Sequence, residues 1–117
     1  MATSKIKGPK VLDLTTLTPS TGWSFNVNAL QEAVINDNIV TLSYRLDKAT
    51  DDATPYALYL PSEYKPKAIV RSLCWSSSNG SSVALVTVET SGELRFRQLS
   101  GSAPLAGTYG GSCSYPL

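Results

Sequence analysis

The sequence predicts an all-β fold, a small antiparallel β-sandwich or β-barrel built as one domain. Three observations carry that expectation. A chain of 117 residues can bury one real core but not two. Several short runs alternate apolar and polar residues with β-branched side chains among them, the pattern of half-buried strands. The runs are separated by stretches rich in Gly, Ser, Asn and Pro that suit tight turns.

The elements follow in order. "MATSKIKGPK" reads as a loose arm with Lys5, Lys7 and Lys10 solvated, and it lacks the apolar stretch of a secretory signal. "NVNALQEAV", 26–34, holds one helical turn, with Asn28 as cap and Gln31 three residues on. "AVI" followed by "NDN" at 36–38 predicts a hairpin turn. The clearest strand is "IVTLSYRL", 39–46: Val40, Leu42, Tyr44 and Leu46 face one way, and Thr41, Ser43 and Arg45 the other. A polar loop, 47–55, leads into the short strand "YALYL", 56–60, which Pro61 stops. Pro61 and Pro66 lack backbone donors and restrain their neighbours, so 61–66 is a rigid connector, with Tyr64 expected to plug the end of the core. "KAIVRSLCW" is the next strand, and "SSSNGSS" at 76–82 carries the Asn-Gly signal of a hairpin. "VALVTVE", 83–89, and "ELRFRQL", 93–99, flank the turn "TSGE", with Leu94 and Phe96 on one side and Arg95 and Arg97 on a solvated face. After a loop around Pro104, "GTYGGSCSYPL" supplies the last strand.

Two of these strands are apolar on both faces. Residues 83–88 set Ala84, Val86 and Val88 against Val83, Leu85 and Thr87. Residues 68–75 set Ile69, Leu73 and Trp75 against Ala68, Val70 and Cys74. A strand with one wet face should not do this, so a further layer or a second subunit covers the outer face. The expected subunit interface therefore comprises Ile69, Leu73, Val83 and Leu85.

Composition removes several functions. Ten basic residues against nine acidic ones leave no basic excess for nucleic acid or an anionic membrane. No apolar run approaches the roughly 20 residues of a spanning helix. The absence of histidine excludes Ser-His-Asp and Cys-His catalysis and His-bearing zinc sites. "GTYGG" lacks the lysine and the setting of a phosphate loop, and no cofactor motif is present. Glu89 and Glu93 flank one turn, where a chance carboxylate pair outweighs a glycosidase pair. Asp47, Asp51 and Asp52 offer oxygens to calcium, but their spacing matches no EF-hand loop and an exposed acidic loop explains them. Cys74 and Cys113 read as buried free thiols, with a bridge between them as the alternative. The rings of Trp23, Trp75, Tyr56, Tyr59, Tyr64, Tyr109 and Tyr115 are many for this length. Each serves either core and interface packing or, beside short polar donors, a sugar-binding surface.

The run "YALYLPSEYKPKAIVRSLCWSSSNGSSVALVTVETSGELRF" resembles the C-terminal head domain of bacteriophage tail-fibre and baseplate receptor-binding proteins. In that family a strand leads to a leucine-proline, variable pair, tyrosine-basic-proline segment, here Leu60, Pro61, Ser62, Glu63, Tyr64, Lys65 and Pro66. "ALVTVE" and "TSGEL" match its next strand and turn, "GWSF" and "NDNIVTLSYRL" its opening, and "GSCSYPL" its final strand. The resemblance spans about residues 20–117; it departs where Glu63 replaces the usual glycine and where the repetitive shaft is missing. It implies a β head assembled as a homotrimer on a virion tail, joined to other tail proteins, that binds a host cell-surface glycan or protein without catalysis. Residues 1–19 are then an arm or linker towards a shaft, and 20–117 the head. The expected binding residues are Tyr56 beside the loop 47–55, Asn79 within the turn 77–81 and Tyr109 beside the loop 99–108, all at one end of the fold. The rival readings are a structural fibre cap or decoration protein that binds no host, and a glycan-cleaving tailspike fragment.

Overall fold

The computed structural model describes residues 8–77 and 82–117. These contain nine strands: β1 (Lys10–Asp13), β2 (Trp23–Phe25), β3 (Glu32–Asn36), β4 (Ile39–Lys48), β5 (Tyr56–Tyr59), β6 (Val70–Ser76), β7 (Val83–Val88), β8 (Glu93–Gln98) and β9 (Gly107–Pro116). Every pairing is antiparallel, in the order β1-β3-β4-β9-β6-β7-β8-β5, with β2 on β4. No helix among the described residues is long and apolar enough to cross a membrane.

The sheet curls into a half-barrel, and its two limbs meet over one core. Trp23, carried by β2 on one limb, stacks on Phe96 of β8 on the other with ring centroids 5.3 Å apart. Tyr109 and Tyr44 approach the same Phe96 ring at 5.0 and 5.6 Å. The period-two pattern of β4 fixes the inside face: Val40, Leu42, Tyr44 and Leu46 are all buried. The β3–β4 hairpin turns at Asp37 and Asn38, both at positive φ, 52° and 63°, as a two-residue primed turn demands. Tyr64 sits on a 3-10 turn, Ser62–Tyr64, and is buried as the expected plug; its carbonyl accepts the Tyr115 hydroxyl at 2.6 Å.

Two expectations fail. The first is the loose arm as far as Lys10. Lys10 opens β1, which pairs with β3, bonds Glu63 through its ammonium, and leads into a 3-10 turn that buries Leu14. Ordered structure therefore starts upstream of residue 20, while Lys5 and Lys7 lie outside the described residues. The second is the helical turn at 26–34. Residues 27–28 form a turn with a bend at 29, and β3 begins at Glu32 because its alternation finds β4 as a partner. Gln31 caps nothing. β2 and β3 lie end to end along β4, and the gap between them falls at Arg45. There the Gln31 amide stands in for a strand: it accepts from Arg45 N at 2.8 Å and donates to Arg45 O at 2.6 Å.

Candidate functional site

Loops leaving β4, β6 and β8 converge at one end of the sheet, and Thr108 at the start of β9 joins two of them to a third. Its hydroxyl donates to Asp47 at 2.6 Å, its amide donates to the Ser77 hydroxyl at 2.8 Å, and its carbonyl accepts from Ser77 N at 2.9 Å. Asp51 accepts from the Ala106 amide at 2.7 Å, which ties 47–55 to 99–108. Lys48 tightens the same seam from inside: only 3% exposed, it donates to the carbonyls of Asp51 at 2.9 Å and Pro104 at 2.5 Å. Burial lowers the Lys48 pKa, while Asp51 and Asp52 oppose that shift. Below the seam, the Trp23 indole N–H donates to Thr54 O at 2.7 Å and the Tyr109 hydroxyl to Leu105 O at 2.5 Å. The loop stems are thus fixed from both sides, while Thr50, Asp51, Asp52 and the stretch 99–103 remain exposed.

The expected site residues fall in different places. Tyr56 is half-buried beside this seam. A bulge in β5 makes Ala57 the extra residue, since Tyr56 pairs with Arg95 but Leu58 pairs with Leu94. Ala57 and Leu58 both turn inward, so Tyr56 and Tyr59 share the outer surface with ring centroids 6.5 Å apart. The Arg95 guanidinium lies 4.9 Å from the centre of the Tyr56 ring. Asn79 lies outside the described residues, though the flanking Ser77 is tied to Thr108. Tyr109 does not offer its ring: it is 1% exposed, packed on Trp23 and Phe96, and acts by bracing Leu105. Position alone could not separate it from Tyr56, because both are tyrosines at a strand start.

Asp47 and Asp51 already accept hydrogen bonds from Thr108 and Ala106, and no cluster able to hold a metal occurs among the described residues. Cys74 and Cys113 are free thiols whose pKa values are pushed up to about 11 by burial. They are therefore poor nucleophiles near neutral pH.

The two-faced strands do leave an apolar outer surface. Ile69, Leu73 and Trp75 are exposed at 44, 60 and 46%, and Val83 and Leu85 are half-buried. Gly110 shapes this surface. It pairs with Arg45 on one side and Trp75 on the other, and the missing side chain lets Arg45 lie across it with its guanidinium 4.9 Å from the Trp75 ring centre. A Cβ on Gly110 would touch Arg45 at 3.4 Å.

This curled sheet is the fold of phage receptor-binding head domains. It is similar to the receptor-binding protein of Listeria phage PSA, with a TM-score of 0.66 and 16% identity over 96% of this chain and 68% of that one. It is also similar to the head domain of the lactococcal phage bIL170, with a TM-score of 0.64 and 15% identity over 94% of this chain and 99% of that one. No protein-family model and no curated protein matches the sequence.

Proposed function

We propose that this chain is a receptor-recognition head carried on a phage tail, which binds a polymer or protein of the host cell surface and performs no catalysis. The observation that carries the reading is the convergence on Thr108 of the loops 47–55 and 99–108 and of Ser77 after β6, on a fold used by phage receptor-binding heads. Braced stems with exposed polar tips are how a rigid sheet presents a binding surface. Tyr56, Tyr59 and Arg95 supply ring faces and a cation beside short polar donors, chemistry suited to a hydroxyl-rich polymer. In this proposal Tyr56 and Asn79 contact the receptor and Tyr109 positions a loop. The head assembles as a homotrimer that buries Ile69, Leu73, Val83 and Leu85, and three weak sites then add avidity.

Replacing each of the segments 47–55, 77–81 and 99–108 by a Gly-Ser linker of equal length, and measuring adsorption of the folded protein to a panel of bacterial strains, tests the reading. At least one replacement should abolish adsorption to a strain that the parent protein binds. Adsorption unchanged in all three would move the site elsewhere. Adsorption of the parent to no strain would favour the fibre-cap reading, and release of reducing sugar from host polysaccharide would favour the tailspike reading.

A further inference from the structure

The outer face of the sheet carries opposite charge at its two ends. All four arginines of the chain, Arg45, Arg71, Arg95 and Arg97, project from it. Strand register arranges them in rows. Arg71, Thr87 and Arg95 lie side by side across β6, β7 and β8, and Leu73, Leu85 and Arg97 form the next row. Leu73 is 60% exposed, an apolar knob between Arg71 and Arg97. At this end of the face Glu93, opposite Tyr59, and its neighbour Glu89 carry carboxylates, while Asp47 is already bonded to Thr108.

The far edge, β1 and β3, has the complementary character. A groove of about 350 Å³ opens between Val11, Asp13, Leu30 and Glu32. Val11 and Leu30 are exposed at 58 and 63%, and no basic side chain lines the groove. Lys10, the nearest cation on β1, is engaged by Glu63.

A two-fold contact centred on the Arg71–Leu73–Arg97 ridge would oppose arginines to arginines. A heterologous contact avoids this and, where the rotation closes, generates a ring. We propose that copies of this chain join head to tail, the Arg71–Leu73–Arg97 ridge of one seated in the Val11–Asp13–Leu30–Glu32 groove of the next. This rests on the reading that the chain self-assembles, and it names the surface that covers the apolar face. The contact places Leu73 against Val11 and Leu30 and each arginine near a carboxylate, so it weakens as salt screens it.

The test is light scattering of the purified full chain at micromolar concentration, in low and high salt. Four proteins are compared: the parent, Arg71→Glu with Arg97→Glu, Asp13→Lys with Glu32→Lys, and the combination of all four substitutions. The substituted side chains project from the outer face, and circular dichroism checks that each protein is folded. A Leu73→Lys variant repeats the test without reversing any charge. The parent should be a closed oligomer that loosens in salt. The double arginine variant, the double carboxylate variant and Leu73→Lys should each be mostly monomeric, and the combined charge swap should reassemble. A monomeric parent overturns self-assembly itself. An oligomer that survives Arg71→Glu with Arg97→Glu, or a charge swap that fails to reassemble, overturns this pairing and leaves self-assembly standing.

Discussion

Replacing Tyr64 by alanine should remove a large part of the stability of the fold. The residue is 1% exposed and is among the largest fully buried side chains, on a 3-10 turn fixed by Pro61 and followed by the buried Pro66. Deleting a buried aromatic ring costs about 3–5 kcal/mol, through lost burial and the cavity left behind. Domains of this size are stable by roughly 6–18 kcal/mol, so the loss is a sizeable fraction of the whole. Each kcal/mol moves the melting temperature of such a domain by about 4 °C, which predicts a drop of roughly 12–20 °C. Thermal unfolding followed by circular dichroism, at one fixed protein concentration, measures it. Tyr64→Phe keeps the ring and should stay within about 1 kcal/mol of the parent. A Tyr64→Ala protein that melts within 3 °C or so of the parent would refute the plug, as would a Phe variant that falls as far as the Ala variant.

Three further outcomes are expected. Gly92→Ala should lower the urea midpoint by about 1–3 kcal/mol equivalent, because Gly92 has φ 93° and a Cβ there would sit 2.7 Å from Leu60 O; an unchanged midpoint would mean that the turn is not built this way. Gln31→Ala should cost about 1–3 kcal/mol by orphaning the Arg45 amide in the gap between β2 and β3, while the Arg45 carbonyl keeps its bond from Asn26 N, read again by urea unfolding. The two thiols should resist a thiol reagent at pH 8 until the protein unfolds. Their folded pKa values, about 11, lie above the ordinary 9.0, so their contribution to stability is complete below pH 9 and lost as pH rises through 11. Tyr44 and Tyr115, also raised by burial, act in the same direction. Urea unfolding at a series of alkaline pH values should show the decline, and rapid labelling of native protein at pH 8 would contradict it.

What the sequence discloses is the part of the fold governed by local alternation. β4 reads directly, because its inward residues are apolar and its outward ones polar, and the turn at Asp37 and Asn38 follows from residues that tolerate positive φ. The Pro-flanked Tyr64 reads for the same reason: two prolines fix the backbone around one large ring. β1 and β2 do not, since four and three residues are too short for a period and exist by pairing with β3 and β4. Asn28 and Gln31 carry the spacing of a helix cap, yet Gln31 serves the backbone of Arg45, fourteen residues away, which no local pattern encodes. The loop end of the site was legible as a place, because turns between strands cluster there. The Lys48 bonds to two carbonyls and the bulge that sends Tyr56 and Tyr59 outward together were not, because both depend on tertiary register.

The central claim is that the Thr108-linked loops, with Tyr56, form the surface that meets the host. Hydrogen exchange of the protein with and without purified cell-wall material from an adsorbing strain tests it most directly. Protection is expected at 49–56 and 99–106, with the exchange of β6 and β7 unchanged. Protection confined to the outer face around Leu73 and Trp75, with those loops exchanging as before, would contradict it.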